Sequence, residues 1–579
     1  MNSTPGRKPV PSAVYNSRPM RAIPGMMVAA VSLILAAPLG AQTPLPDGKE
    51  LEAQKARIGR ILINGQSIFD PNDPKESYWP YRVVNKLHIN TRDDVIKREL
   101  LFREGDEYRQ ELIDESERNL RAIGVIYHVS IHPVAYQDGV VDLEVGFQET
   151  WTLRPAVRFS RAGGNNAFGF AFVEQNVLGR LKVLQLSRRN DIDRTTTQLS
   201  YLDPRVFGSR YALRSYYANS TDGTSWGAFT SHPFYSLNTP WSMNAGGEHI
   251  QLTSKLYSNG DSVSEFDRDS DFFNASYGVS SGLQDDHVVR FTFGYQYQQN
   301  LFSGEGGDPG PANPCIPSSA YIADPSRYAG FLACDPPDQK FSGPIFTLES
   351  LKVAFIKVTN YNQFDRDEDF NLGNDFNVSL WLSLKDFDAA KSQVIVGFTD
   401  SVGIPAGASS NFLFTGALSG RVGSGEAENV ILSEAMELYC RATPRQTFYG
   451  RLAFDVGIHL DAQNQFLLGG DNGLRGYPSR QFSGDRRLLL TLEHRFFSDV
   501  EILRLVRLGF AGFADVGDAW YGSSEDLSDL HSDFGIGLRF GVVRSSVASI
   551  GRLDLAYSVD AAQTDSPRVQ LLFGTSLKF

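Results

Sequence analysis

The feature that most constrains the fold of this chain is a period-two alternation of apolar and polar residues that starts at Trp151 and runs to the C-terminus. It is clear in 210–217, 289–297 and 448–456. Alternation at this period is typical of β-strands, because successive side chains point to opposite faces. No convincing amphipathic helix interrupts it. The sequence therefore predicts a large all-β domain over residues 151–579.

The N-terminal stretch has the layout of a secretory signal. Two arginines precede an apolar run, 26–37, and a series of small residues ends near Ala41. This is the order of charged, apolar and cleavage regions in an export signal, and the run is too short to cross a membrane as a helix. We expect residues 1–41 to be a signal peptide, with translation starting at Met20 rather than at Met1.

An exported chain has to satisfy its backbone hydrogen bonds wherever it meets lipid. After the signal, no run reaches the roughly 18 apolar residues that a membrane helix needs. Only helices and closed barrels satisfy every backbone group in lipid, and a long apolar edge on an open sheet would promote aggregation. The pattern favours an antiparallel transmembrane barrel, with a strand count between about sixteen and about twenty.

The last segment of the chain supports the barrel. An alternating run places these residues on one face: Val569, Leu571, Phe573, Leu577 and Phe579. A terminal Phe on such a strand resembles the assembly signal of outer-membrane barrels. We assign that role to Phe573, Leu577 and Phe579.

Residues 58–150 have a mixed pattern that differs from the barrel, and a polar linker, 42–57, precedes them. The segment reads as strand, helix, helix, strand and strand. Asp138-Gly139 is a tight turn between the last two strands. We expect a small α+β domain on the N-terminal side of the barrel.

One arginine occupies an unusual position, between two glycines in a segment without helical or strand periodicity. The segment consists of Gly473, Leu474, Arg475, Gly476 and Tyr477. The runs on either side, 448–458 and 487–497, alternate as strands do, so we expect the segment at the tip of a long loop between them. Two acidic residues, Glu493 and Asp515, follow inside predicted strands.

These residues resemble the outer-membrane assembly and translocation superfamily, whose members include BamA, TamA and the two-partner-secretion transporters. Its signature is an Arg-Gly-aromatic tripeptide on a loop folded into a sixteen-stranded barrel, followed by a Phe-x-Asp-x-Gly strand motif. In this chain the strand motif is Phe513, Asp515 and Gly517. The resemblance implies sixteen strands. It also implies that Arg475 lies in the lumen against Glu493 and Asp515 of the barrel wall.

The same resemblance suggests the function. The element order of residues 58–150, directly before a barrel, looks like one POTRA domain, the periplasmic module of the superfamily. It implies an insertase or translocase in the outer membrane of a Gram-negative bacterium, with the POTRA-like domain in the periplasm. The implied partners are unfolded outer-membrane or secreted polypeptides, outer-membrane lipids and periplasmic chaperones or lipoproteins. The alternatives are a two-partner-type secretion transporter and a passive porin or solute channel.

No residue pattern points to catalysis, a cofactor or a metal, so we expect a protein that is not an enzyme. Residues 278–282 have the spacing of a nucleophile elbow, but a strand follows where that chemistry needs a helix. Alternating aspartates in 267–271 and 365–369 lack the glycine and distal glutamate of a calcium loop, and we interpret them as solvated loop charges. Acidic residues outnumber basic ones, 67 to 55, which argues against nucleic acid as a partner.

Two of the three cysteines, Cys315 and Cys334, lie in a long Gly- and Pro-rich stretch. Export would expose them to an oxidising compartment. We expect a disulfide between these two and interpret Cys440 as a packing residue on a strand.

Overall fold

The computed structural model describes residues 45–304, 335–423, 425–522, 529–545, 550–560 and 567–576. From Pro46 onward the chain forms one unit, in which a small α+β domain precedes a closed β-barrel. The predicted signal peptide lies outside the described residues. Among the helices that the structure describes, none is long and apolar enough to cross a membrane.

The small domain contains one sheet and the described α-helices. In chain order its elements are α1 (Gly48–Ala53), β1 (Arg57–Gln66), α2 (Trp79–Leu87), α3 (Asp93–Glu99), α4 (Gln110–Ala122), β2 (Ile126–Gln137) and β3 (Val140–Glu149). The strand order is β1-β3-β2, with β1 parallel and β2 antiparallel to β3. Ile113 and Leu120 of α4 are seven residues apart, so they lie on one helix face and pack with Val141 and Leu143 of the sheet.

Two helices of this domain lie outside the expected order of strand, helix, helix, strand and strand. α1 lies inside the predicted linker, where Asp47 and Glu50 form a reciprocal capping box and Leu51 is fully buried in the domain core. The second half of the predicted linker therefore packs as part of the domain. α2 lies in the Pro- and Asp-rich stretch after β1, with Pro80 in its first turn, where the missing N–H costs nothing.

The barrel is built from strands that follow one another along the chain. Its first half comprises β4 (Leu153–Ala162), β5 (Asn165–Val177), β6 (Lys182–Asn190), β7 (Thr195–Asp203), β8 (Ala212–Ser220), β9 (Gly223–His232), β10 (Trp241–Ser258), β11 (Asp261–Ser280), β12 (His287–Gly304) and β13 (Gln339–Lys352). Its second half comprises β16 (Asn374–Ser383), β17 (Gln393–Pro405), β18 (Ser410–Val422), β19 (Ala427–Thr443), β20 (Gln446–Ile458), β23 (Arg486–Ile502), β24 (Val506–Trp520), β25 (His531–Val542), β26 (Ile550–Ser558) and β27 (Val569–Ser576). Two short pairs stay outside the wall: β14 (Phe355–Thr359) with β15 (Asp367–Asn371), and β21 (Phe466–Leu468) with β22 (Phe482–Gly484).

Over the residues that the structure describes, the barrel has 20 antiparallel strands, so the expectation of sixteen is wrong. The number sixteen comes from the resemblance, whereas the residue pattern allows up to about twenty. Alternation shows that a segment is extended, but it does not show which strands pair or where the sheet closes. Closure depends on strand number, tilt and stagger together, which only the whole sheet determines. The all-β barrel architecture preceded by a small α+β domain is confirmed.

The outer surface of the barrel carries an apolar belt. Along β5, Phe168, Phe170 and Phe172 are exposed, and on β12 the same alternation exposes Val289 and Phe291. Between the two β12 residues, Arg290 points to the other face, towards the lumen, and donates to Glu349 Oε1 (2.6 Å). Apolar side chains outward and polar side chains inward are typical of strands that cross a bilayer.

The two ends of the barrel differ in what they contact. We call the end that touches the small domain the proximal end: there Arg92 N–H donates to the Gly179 carbonyl (3.1 Å), and Leu237 N–H donates to the Glu115 carboxylate (2.8 Å). The opposite end is the distal end. The lumen loop, 459–485, joins β20 to β23 there, and the proximal hairpin, 353–373, joins β13 to β16 at the other end.

Candidate functional site

The lumen loop bends back into the barrel, where backbone hydrogen bonds connect it to two distal turns, between β4 and β5 and between β10 and β11. Ser479 N–H donates to the Gly163 carbonyl (3.0 Å), and Gly260 N–H donates to the Arg480 carbonyl (3.0 Å). Gly163 has a φ of +52°, and a Cβ there would lie 2.0 Å from the Ser479 nitrogen. Glycine is therefore required where the loop crosses the β4–β5 turn.

The guanidinium of Arg475 is clamped between two carboxylates of the wall. Its Nε and Nη2 donate to the two oxygens of Asp515 (2.6 and 2.9 Å), and its Nη1 donates to Glu493 Oε1 (2.7 Å). The guanidinium carbon lies 3.6 Å from the centre of the Phe513 ring. Arg475 is 4% exposed and Asp515 is fully buried. This is the bidentate, stacked geometry that arginine provides and lysine lacks.

The neighbours of Arg475 fix the loop backbone in the same place. Gly476 N–H donates to Asp533 Oδ2 (2.9 Å), and a Cβ at Gly476 would lie 2.6 Å from the Asp533 Cβ. The hydroxyl of Tyr477 donates to the Ser532 carbonyl (3.0 Å) and also bonds Asp560. A larger residue at 476 would push the loop off the wall.

The apolar side of the loop forms a small buried cluster. Leu474 and Tyr477 are fully buried and pack with Leu468, Leu489 and Ala519. Two glycines make room for it: a Cβ at Gly473 would lie 2.3 Å from Leu489 Cδ2, and one at Gly517 would lie 2.3 Å from the Leu488 carbonyl. All predicted residues of the loop and wall therefore meet at one place in the lumen.

A second arginine, Arg495, extends this site and is not part of the expected set. Its Nε donates to Glu493 Oε2 (2.9 Å), so that Glu493 lies between two arginines. Its Nη1 donates to the Tyr361 carbonyl (2.9 Å) and to Asn362 Oδ1 (3.1 Å) on the proximal hairpin. The position of Arg495 two residues after Glu493, on the same face of one strand, is the sequence signal that could have found it.

The proximal hairpin lies inside the barrel. Tyr361 stacks on Tyr439 of the wall with a ring separation of 4.9 Å, and Phe364 packs on Phe497 at 5.1 Å. At the base of the hairpin, Asp369 accepts two hydrogen bonds from Arg121 of α4, each 2.9 Å. Direct contacts therefore run from the small domain through the hairpin and Arg495 to the Arg475 site.

Charge reversal at the Arg121–Asp369 pair tests whether the small domain holds the hairpin in place. Reversing one charge, Arg121→Asp, is expected to loosen the hairpin and raise ion conductance in planar bilayers, because charged hydrogen bonds worth about 1.5–3 kcal/mol are replaced by repulsion. The double variant Arg121→Asp with Asp369→Arg is expected to restore wild-type conductance. Equal conductance in the wild type, the single variant and the double variant would show that the hairpin does not depend on this contact.

The interpretation of the alternating aspartates as solvated loop charges is wrong about the loops, because most of these residues lie on strands. Asp367 and Asp369 lie on β15, and the earlier run lies on β11. There Asp269 and Asp271 face His249, whose Nδ1 lies 3.5 and 2.9 Å from their carboxylates. A strand, rather than a loop, explains the alternation, because every second side chain points to the same face.

The junction between the last and the first barrel strand, which we call the seam, differs from the other junctions. Among the described residues, β27 pairs with β4 at a single position, Phe573 opposite Arg161, whereas β4 pairs with β5 over its whole length. Phe573 stacks on Phe159 at 4.9 Å. A Cβ at Gly574 would lie 3.3 Å from the Ser160 Cβ, so the two strands approach closely with little backbone pairing.

Four of the predicted site residues lie outside the described part of the chain. They are Leu577 and Phe579 of the C-terminal signal and the cysteines Cys315 and Cys334. The disulfide stays a prediction. Cys440 lies on β19 as a free, partly buried thiol.

The barrel, its apolar belt and the clamped loop define a β-barrel membrane protein with an α+β domain at one end. Residues 82–150 match the POTRA family, described as surface antigen variable number repeat, so the predicted POTRA-like domain is confirmed. This match and the fold support the predicted relationship to the superfamily of BamA, TamA and the two-partner-secretion transporters.

Several solved structures are similar to this chain at low sequence identity. BamA from Haemophilus ducreyi lacking POTRA domains 1–3 is 14% identical, with a TM-score of 0.36 over 90% of this chain and 84% of that one. CdiB from Acinetobacter baumannii is 12% identical, with a TM-score of 0.41 over 90% and 73%. CdiB from Escherichia coli is 10% identical, with a TM-score of 0.43 over 90% and 76%. No curated protein sequence matches the chain.

Proposed function

We propose that this protein is an insertase or translocase of the Gram-negative outer membrane, which assembles or exports unfolded polypeptides without acting as an enzyme. The POTRA domain and the proximal end then face the periplasm. The seam is the observation that carries the proposal.

The seam offers an incoming strand what the other junctions do not. Among the residues that the structure describes, one paired position, Phe573 opposite Arg161, joins β27 to β4, compared with the ten that join β16 to β17. Backbone groups that face lipid without a partner cost several kcal/mol each in gross terms, about 2–7 in an apolar medium. An extended client that pairs with β4 would remove that cost. Opening the wall at the seam therefore breaks few backbone pairings, and a strand that binds there provides partners for backbone groups that have none.

The POTRA sheet supplies a second edge that suits an extended polypeptide. β2 is an edge strand of the sheet, and a cavity of about 870 Å³ lies beside its first residues and α4. The other edge strand, β1, is partly covered, because Ile58 exchanges backbone hydrogen bonds with Gly105 and Asp106. Strand addition to β2 would give main-chain affinity with little demand on sequence, as a carrier of varied clients needs.

The filled lumen argues against a passive porin. The lumen loop and the proximal hairpin meet through Glu493 and Arg495, and both residues are buried. A separate cavity of about 640 Å³ is lined by residues of the barrel strands, among them Arg451 and Asp455. A route through the lumen would require these inner segments to move, whereas an opening at the seam would not.

Removing the POTRA domain tests the proposal. In a depletion strain, a chain lacking residues 46–150 is expected to reach the membrane as a heat-modifiable barrel and yet fail to replace the wild type. The deletion includes α1 because Leu51 belongs to the core of the domain. Quantitative outer-membrane proteomics is the measurement.

The pattern of loss separates the functions. A fall in many barrel proteins would support an insertase, and retention of one large exoprotein in the cell would support a two-partner-type transporter. A small-solute uptake defect without change in envelope proteins would instead support a porin. A normal proteome in the deletion strain would show that the POTRA domain is not the client receptor.

A further inference from the structure

Helix α2 carries an apolar stripe that no part of the described chain covers. Trp79, Val83 and Leu87 are 72%, 44% and 66% exposed. They are spaced four residues apart, which places them on one face of a helix. Arg82 and Lys86 are also exposed and, at 100° per residue, lie along one flank of this stripe. None of the residues of α2 is buried.

The opposite face of α2 is held firmly, so the stripe has a defined direction. The Tyr81 ring packs on Phe69 at 4.4 Å. The side chain of Asn85 accepts from Phe69 N–H (3.1 Å) and donates to the Phe69 carbonyl (2.7 Å). The helix is therefore firmly attached, and loose packing does not explain why its stripe is exposed.

The attachment of α2 places it beside the apolar belt of the barrel. The Tyr81 hydroxyl donates to the Leu503 carbonyl (3.2 Å) in the proximal turn between β23 and β24. Leu503 is 71% exposed, and Val500 and Ile502, at the end of β23, are exposed as well. The stripe on α2 thus continues a lipid-facing surface that the barrel already has.

We propose that α2 lies in the lipid–water interface of the leaflet at the proximal end, with Trp79, Val83 and Leu87 in the acyl boundary. Arg82 and Lys86 then meet phospholipid headgroup phosphates. An amphipathic helix with an aromatic and aliphatic face and a basic flank binds membranes in this way, and Trp prefers this depth. The helix would hold the POTRA domain against the membrane, independently of what the protein assembles.

Spin labels on the full chain in phospholipid nanodiscs test the proposal. On a background in which the three cysteines are serine, labels at Val83→Cys and Leu87→Cys are expected to be several-fold more accessible to oxygen, relative to a water-soluble nickel chelate, than a label at Glu52→Cys. Glu52 is an exposed residue of α1. This helix lies beside Gln110 at the start of α4, whereas Arg121, which contacts the barrel, is at the other end of α4. Labels at 83 and 87 that are as water-accessible as the control would overturn the proposal.

A second variant separates lipid binding from placement by the protein alone. With Trp79→Ser and Val83→Ser, the label at residue 87 is expected to move towards water. An unchanged depth would mean that the stripe does not bind lipid, and the proposal would fail. It would also fail if the labels stayed in water and became immobilised only when an unfolded polypeptide was added, since the face would then bind protein.

Discussion

A disulfide across the seam, introduced with Ser160→Cys and Gly574→Cys, is expected to abolish client assembly while leaving the barrel folded and inserted. The two Cβ atoms would lie 3.3 Å apart, close to the separation that a disulfide needs. The native cysteines, Cys315, Cys334 and Cys440, are replaced by serine to avoid mispairing. The lock prevents β4 from parting from β27, and an incoming strand then finds no free edge. Complementation of a depletion strain and outer-membrane proteomics measure the effect.

A matched disulfide elsewhere in the wall distinguishes the effect of a closed seam from the effect of a more rigid barrel. Ser379 and Gly397 face each other on β16 and β17, and a Cβ at Gly397 would lie 3.8 Å from the Ser379 Cβ. This disulfide uses the same residue types across a fully paired junction and is expected to leave activity unchanged. Reduction should restore the seam-locked protein. A locked and correctly inserted barrel that supports a normal proteome would show that lateral opening is not used.

Replacement of the loop arginine, Arg475→Ala, is expected to give a folded barrel with a mobile lumen loop and a large loss of activity. The change leaves the buried Asp515 without its bidentate partner, and removing one member of a buried ion pair costs about 3–5 kcal/mol. Any water in the lumen lowers that cost. Arg475→Lys is expected to rescue poorly, because one ammonium cannot bond both Asp515 and Glu493 and stack on Phe513. Protease cleavage within the loop, together with complementation, checks both variants.

Arg480 provides the control on the same loop. It pairs with Asp193 at the distal rim (2.8 and 2.7 Å), where its side chain is 15% exposed. Arg480→Ala is expected to affect loop cleavage less than Arg475→Ala does, because water can solvate the remaining carboxylate. Wild-type activity and unchanged loop cleavage in Arg475→Ala would contradict a fixed loop as a requirement for function.

Short-range patterns predicted the parts of this protein that depend on local geometry. Alternation identified the strands, since the side-chain period of a strand is a property of the backbone. The loop arginine stood out by its position between two glycines, its pairing with Glu493 and Asp515 came from the resemblance, and the structure brings the three together in the lumen. The resemblance misled on strand number, because closure belongs to the whole sheet.

Contacts distant in sequence were decided only by the tertiary structure. Arg495 bonds Tyr361 across 134 residues, and nothing near Tyr361 in the sequence marks a segment that enters the lumen. The tertiary structure also decides the role that we propose for α2, because its apolar stripe lies beside Leu503 and the barrel belt only in the folded chain. The sequence by itself predicted export, an alternating barrel and a POTRA-like domain before it, and the barrel and the POTRA-like domain are confirmed. Which strands close the barrel, and what fills it, depended on pairings between segments that no local period encodes.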